Sequence, residues 1–186
     1  DYAGTDSVEE LEEIEKITHR VFVDHKRLKG EMEDIRPVML RSGLLQILNG
    51  NRSDRDYALN YMSQFSEYFP LDGFVCAKIL IEDNSGFVRD DSLAEMQLTR
   101  LVISNVTEEL FQDQVRTVSL DFDIRDIVLV FNIAWSNPPD DMATSMHLIE
   151  EQLKKSQILI AEQCKIYTSI GISHPHQGLR NLYKCH

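Results

Sequence analysis

The order of hydrophobic patterns after residue 72 most constrains the fold of this chain. Strand-like runs with period-two or continuous apolar residues alternate with longer segments of helical periodicity. The strands are predicted at 74–81, 115–122, 126–133 and 167–173, and the helices at 92–112, 138–165 and 178–183. A tight polar turn joins the two middle strands. This β-α-β-β-α-β-α order predicts an α+β fold in which helices cover a sheet.

The N-terminal segment, residues 7–35, carries the most helical composition. Its apolar residues recur at a strict spacing of seven, at Ile14, Val21, Leu28 and Ile35. A seven-residue repeat is typical of a helix that supercoils against a partner. Asp24 and Glu31 interrupt the second core column, so two interpretations stay open: a dimerising signal helix, or an amphipathic helix packed on its own domain.

The sequence predicts three regions: an N-terminal coiled-coil helix at 1–36, a helical connector at 37–72 and an α/β domain at 73–186. Pro37 is expected to end or kink the first helix. Within the connector, one apolar helix stops at residues 49–51, and Ser53 is the expected N-cap of the next helix, which runs to about Phe69.

Composition excludes several classes of function. The 186 residues carry a net charge of −12, whereas a nucleic-acid surface needs a basic face. A membrane-spanning helix needs about 18 consecutive apolar residues, and the sequence contains no such window. The three cysteines, Cys76, Cys164 and Cys185, are widely spaced. They are expected to be buried free thiols in a reducing cytoplasm.

Four segments resemble the degenerate GGDEF-like region of bacterial AraC-family transcription regulators of the membrane-sensor type. The segments are Leu44–Gly50 (LLQILNG), Phe74–Ile81, Ile127–Asn132 (IVLVFN), and Tyr167–Ser173 (YTSIGIS) with the following Gly178–Tyr183 (GLRNLY). The resemblance implies a ferredoxin-like, nucleotide-cyclase-like sheet with an N-terminal helical extension.

The resemblance also implies a parent protein with an extracytoplasmic sensor, a membrane helix and a DNA-binding domain outside these residues. The chain is then the cytoplasmic portion of a plasma-membrane protein. Its expected role is signal transmission as a homodimer, with Ile14, Val21, Leu28 and Ile35 forming the seam. No contact of this fragment with nucleic acid or membrane is expected.

Catalysis is not expected. The resemblance implies a comparison with active diguanylate cyclases, which need carboxylates to hold two Mg²⁺ ions. These enzymes also need a glycine pair in the hairpin, so that the backbone can approach the nucleotide. The corresponding hairpin, Asp121–Asp126, has no glycine and places Ile124 and Arg125 in that space. We therefore predict no enzyme activity, no cofactor and no metal.

An alternative function is a regulatory domain that keeps a modified nucleotide or metabolite pocket. Its candidate ligand-binding residues are polar or aromatic and lie at predicted strand ends: Glu82, Asp83, Asp123, Arg125 and Trp135. For Trp135, covering the sheet edge is the competing interpretation. His174 and His176 supply two imidazoles, but two ligands rarely make a zinc site, so a hydrogen-bonded turn is expected there.

Overall fold

The computed structural model describes residues 35–89, 92–135 and 140–185. The chain divides into two compact units, Asp1–Leu40 and Arg41–His186. The described part of the first unit is residues 35–40, which are helical, and Ile35 is 51% exposed. The other three seam residues, Ile14, Val21 and Leu28, lie outside the described residues. The seam therefore stays a prediction.

The described elements run as follows: α1 (35–49), α2 (Arg52–Met62), a 3₁₀ helix (Ser63–Tyr68), β1 (Gly73–Asp83), α3 (Leu93–Phe111), β2 (Arg116–Asp121), β3 (Asp126–Ile133), α4 (Asp140–Leu159), a π turn (Ile160–Cys164), β4 (Tyr167–Ile172), β5 (His176–Gln177) and a final 3₁₀ helix (Leu179–Cys185). The mixture of helices with an antiparallel sheet confirms the α+β prediction. The expected last helix is of the 3₁₀ type, and the short β5 was not predicted.

The strands form an antiparallel sheet in the order β2-β3-β1-β4. β1 lies inside the sheet and pairs with β3 from Gly73↔Ile133 to Leu80↔Asp126. On its other side, β1 pairs with β4 and, at its first two residues, with β5. Its nearly continuous apolar sequence follows from this position, because both of its faces are covered.

One face of the sheet packs against α3 and α4. Alternate residues of β1 and β3 point to this face, as the period of two requires. They join buried residues of the two helices in the main core, which includes Val75, Ala77, Ile79, Ile81, Ile103, Phe111, Ile127, Leu129, Phe131, Ile149 and Leu153. The rings of Phe111 on α3 and Phe131 on β3 lie 4.8 Å apart, edge to face.

The opposite face carries the remaining residues of β1, of which Phe74 and Cys76 are buried. The ring of Phe69, just after the first 3₁₀ helix, lies 5.5 Å from that of Phe74. The final 3₁₀ helix also contacts β1 and buries Leu182 completely. Helices therefore cover both faces of the sheet.

Two helix boundaries differ from the expectation. α1 includes Pro37, so the chain is helical on both sides of this residue and the helix does not end there; the alternative, a kink at Pro37, stays a prediction. α2 is capped by Asn51 rather than by Ser53: the Asn51 side chain accepts a hydrogen bond from the Asp54 N–H at 3.1 Å. The reason is that only Gly50 and Asn51 link the two helices; the Gly50 N–H closes the last turn of α1, and Asn51 directly precedes α2.

The end of α4 also differs from the predicted helix to about Lys165. The α-helix stops at Leu159, and a π turn leads to Lys165, whose φ of 56° is left-handed. The N–H groups of Lys165 and Ile166 both reach the Ile160 carbonyl, as in a Schellman-type end. This turn buries Ile160 and Ile166 together and leaves Leu159 41% exposed.

The outer edge of β2 is covered by a side chain of α3. Glu108 accepts hydrogen bonds from the N–H of Ser119 at 2.8 Å and from its hydroxyl at 2.5 Å. An edge strand with unpaired backbone groups invites pairing with other chains. Glu108 blocks that pairing at the middle of β2.

Candidate functional site

The C-terminal end of β1 and the β2–β3 hairpin meet at one end of the sheet. The cause is the antiparallel register, in which Leu80 pairs with Asp126. Beyond that pair, the Ile81 N–H donates to the Arg125 carbonyl at 2.9 Å, and the Arg125 Nη1 reaches the Ile81 carbonyl at 3.5 Å. Four of the five candidate ligand-binding residues, Glu82, Asp83, Asp123 and Arg125, are therefore brought to the same end.

The carboxylates on β1 already have partners within the protein. Asp83 accepts a hydrogen bond from the Ser85 N–H at 2.9 Å. Hydrogen bonds from Ser85, aided by the charge of Arg125, hold the pKa of Asp83 below its ordinary value. Glu82 accepts a hydrogen bond from the Ser169 hydroxyl on β4 at 2.6 Å. Both carboxylates thus contribute to the local structure of the strand end.

The hairpin is held in the same way. Backbone hydrogen bonds between Asp123 and Asp126 close the turn, and the Asp123 side chain accepts a hydrogen bond from the Ile124 N–H at 2.7 Å. The Asp123 carbonyl accepts a hydrogen bond from Arg100 Nη1 on α3 at 2.8 Å. At the base of the hairpin, the Lys78 ammonium pairs with Asp126 at 2.7 Å. Ile124 stands at the tip and is 57% exposed.

Trp135 does not belong to this group. It follows β3 at the opposite end of the sheet, where Ile133 pairs with Gly73, the first residue of β1. Eight residues of β3 separate the two ends, roughly 25 Å at the usual rise per residue. Trp135 is 40% exposed. The five candidate residues therefore cannot line one pocket.

The two histidines lie in the segment between β4 and the final 3₁₀ helix. His176 is in β5 and pairs with Phe74, and the His174 carbonyl accepts a hydrogen bond from the Ser173 hydroxyl at 2.9 Å. Within residues 35–89, 92–135 and 140–185, no group of three or more His, Cys, Asp or Glu side chains is placed to hold a metal ion.

Sequence reasoning missed a cavity of about 340 Å³ between α3 and the edge strand β2. Arg41 and Arg100 line it, each in a loose ion pair of 3.7 Å, with Glu108 and Asp121 respectively. The Arg100 Nε is buried and has no hydrogen-bond partner among the described residues. The two arginines are 59 positions apart, so no sequence pattern joined them.

A second missed cavity, of about 250 Å³, lies on the opposite face of the sheet. Cys76 from β1 and Cys185 from the final 3₁₀ helix both line it. All three cysteines carry free thiols. The expectation of free thiols is confirmed, but only Cys76 is fully buried; Cys76 and Cys185 come together because the final 3₁₀ helix folds back onto β1.

Comparison with known proteins yields no family model, no curated protein and no solved structure that matches this chain. In the described parts of the chain, no helix combines the length and the apolar character that are needed to cross a membrane.

Proposed function

We propose that this chain is a non-catalytic signal-transmission and dimerisation module of a sensor-type transcription regulator of the AraC family, with a degenerate GGDEF-like domain. In this proposal the N-terminal helix pairs with its twin in a homodimer. A change in its register or rotation repositions the α/β domains and whatever follows them, as a shift between two states and without a chemical step.

The order of the strands supports the fold on which the proposal rests. A ferredoxin-like sheet, which nucleotide cyclase domains share, is expected to have β1 and β3 at its centre with antiparallel neighbours, and the strand order β2-β3-β1-β4 agrees with this expectation. The segments that resemble the GGDEF-like region fall on α1, β1, β3 and β4. Fold by itself does not establish function, so the site must carry the argument.

The observation that carries the proposal is the closed strand end. Where the resembled enzymes hold their nucleotide, the hairpin of this chain binds to the rest of the domain: Arg125 to Ile81, and Asp123 to Arg100. Protein groups thus use the backbone positions that a nucleotide needs. This favours a structural role for this strand end over a catalytic one.

The packing of α1 in the second unit supports a role in transmission. Leu44 and Ile47 of α1 are completely buried. Gly43 lies so close to α2 that a Cβ there would come within 2.5 Å of the Met62 sulfur. Packed elements of this kind move as bodies and do not deform continuously. A displacement of α1 is therefore expected to reach the sheet.

The test is the oligomeric state, by light scattering after size exclusion over a range of concentrations. The whole chain is expected to be a dimer, and a version that starts at Val38 a monomer. If both are monomers, the heptad face packs on its own domain and the transmission proposal fails.

A second candidate function is a regulatory ligand-binding domain, and the cavity between α3 and β2 favours it. Its two arginines, one with a buried and unsatisfied Nε, suit a small anionic ligand such as a carboxylate or phosphate ester. Thermal unfolding with a panel of such compounds, including nucleotides with Mg²⁺, tests it.

A ligand at a hundred times its Kd stabilises by about 2.7 kcal/mol. The shift should vanish in Arg100→Gln and persist in Arg180→Gln, where the side chain is exposed. No shift with any compound contradicts the ligand-binding function.

A further inference from the structure

The thiols of Cys76 and Cys185 meet in the cavity of about 250 Å³ on the opposite face of the sheet. Cys76 lies in the central strand β1 and is 4% exposed; Cys185 ends the final 3₁₀ helix and is half-buried. Each thiol has the largest influence on the pKa of the other, through a side-chain hydrogen bond. They are 109 positions apart in the sequence (185 − 76), so the fold alone brings them together.

Ser173 fixes the position of the pair. Its N–H donates to the Cys76 carbonyl at 2.8 Å, and its hydroxyl oxygen accepts from the Cys76 N–H at 3.0 Å. The Ser173 side chain also hydrogen-bonds Cys185. Ser173, directly after β4, thus holds the backbone of Cys76 and also contacts the side chain of Cys185.

The final 3₁₀ helix is docked by contacts of its own. Leu182 is completely buried. The guanidinium of Arg55 on α2 lies 4.1 Å from the centre of the Tyr183 ring, a cation–π contact. The Gly178 N–H donates to the Asp72 carbonyl at 2.7 Å, just before β1. These contacts keep Cys185 over the sheet in the native state.

The environment separates the acidities of the two thiols. The hydrogen bond from Cys76 is the main cause that lowers the pKa of Cys185 to about 7, against the opposing effect of burial. The same hydrogen bond, together with burial, raises the pKa of Cys76. The other ionisable side chain of the cavity is Lys78, whose ammonium is paired with Asp126 at 2.7 Å. Cys185 is thus the thiol that loses its proton first and acts as the nucleophile.

We propose that Cys76 and Cys185 form a redox-active dithiol, a modification site that exchanges with low-molecular-weight disulfides and closes to an internal disulfide. The thiolate of Cys185 attacks one sulfur of the small disulfide, whose S–S bond breaks and releases one thiolate. Cys76 then loses its proton and attacks the Cys185 sulfur, which expels the second small thiolate. Two electrons pass from the protein dithiol to the small disulfide, and the cysteine protons end on the two released thiols.

Oxidation would join the final 3₁₀ helix to β1 by a covalent bond. In the reduced state, only non-covalent contacts hold the final 3₁₀ helix on the sheet. The third thiol, Cys164, lies in the π turn after α4 and is not among the residues that line this cavity. Cys164 provides an internal control for every measurement.

The test treats the whole chain with oxidised glutathione near neutral pH, quenches with acid, alkylates the remaining thiols and maps the peptides without reduction. The expected product is a peptide pair that joins Cys76 to Cys185, while Cys164 is recovered alkylated. Recovery of Cys76 and Cys185 as alkylated thiols, or glutathione attached chiefly to Cys164, would overturn the proposal.

Variants separate the two steps. Cys76→Ala should trap glutathione on Cys185 as a mixed disulfide. Cys185→Ala should slow modification of Cys76 by at least about tenfold, because a buried thiol of raised pKa is a poor nucleophile. Cys164→Ala should form the internal disulfide at the original rate. Equal modification of Cys76 with and without Cys185 would refute the order of attack.

Discussion

The side-chain amide of Asn132 hydrogen-bonds both backbone groups of Leu71. Its Oδ1 accepts from the Leu71 N–H at 3.0 Å, and its Nδ2 donates to the Leu71 carbonyl at 2.7 Å and to the Gly73 carbonyl at 3.0 Å. Asn132 is 1% exposed. One side chain on β3 thus satisfies three backbone groups and fixes the chain as it enters β1.

Replacing Asn132 with alanine should lower the free energy of unfolding by about 2–3 kcal/mol, because three backbone groups lose their partner and the Gly73 carbonyl among them is buried. Urea unfolding followed by circular dichroism measures the change. Asn181→Ala is the matched control: its amide bonds one exposed carbonyl, that of Gln177, and about 0.5 kcal/mol is expected. Equal losses in the two variants would show that the Asn132 bonds are not required at the β1 entry.

A Cβ atom added at Gly178 is also expected to lower the stability of the fold. The Gly178 φ of +74° is left-handed, and this residue precedes the final 3₁₀ helix. Gly178→Ala should cost about 1–2 kcal/mol from backbone strain alone, since no described atom lies within 4 Å of the added Cβ. Gly171 in β4 has equal space and no positive φ. Gly171→Ala should therefore stay within about 0.5 kcal/mol of the parent.

If the two alanine variants unfold at the same urea concentration, the left-handed turn before the final helix is not what positions that helix. The measurement thus checks the docking of the segment that carries Cys185.

The reactivity of Cys185 should depend on pH in a specific range. Its pKa is lowered to about 7, so the thiolate is present above that pH and lost below it. The rate of alkylation by iodoacetamide, followed at Cys185 by mass spectrometry, should therefore rise with a midpoint near pH 7. In Cys76→Ala the midpoint should move up towards that of an ordinary thiol, about 8.5. A midpoint that does not move would exclude the hydrogen bond from Cys76 as the cause.

The regular elements could be predicted where local sequence and burial agree. β1 and β3 have nearly continuous apolar runs because most of their residues are buried, and Ser92 caps α3 as its position before Leu93 indicates. Helical faces were less predictable. Leu93 and Leu101 belong to the apolar pattern that predicts α3, yet they are 64% and 55% exposed. The apolar residues predict a helix there, but they do not show which of its residues face the core. The buried face of α3 is narrower than the apolar pattern and includes Thr99 and Thr107.

The candidate site could be predicted only as far as neighbouring strand ends. Antiparallel pairing explains why Glu82 and Arg125 lie at the same end of the sheet. Trp135 lies at the other end, because it follows the last residue of β3 whereas Arg125 precedes the first. The thiol pair depends on the final helix returning across the sheet, a long-range contact that no local pattern records. Arg41 and Arg100 meet for the same reason, through the packing of separate helices.

The predicted pairing of the N-terminal helix is the central claim of the account, and light scattering after size exclusion tests it most directly. The whole chain should form a dimer, and Val21→Asp with Leu28→Asp should be a monomer, because two buried charges cannot be accommodated in a coiled-coil seam. His19→Asp with His25→Asp adds the same two charges off the seven-residue series and should leave the dimer intact. A dimer that survives the seam variant, or one lost equally in both variants, would contradict the account.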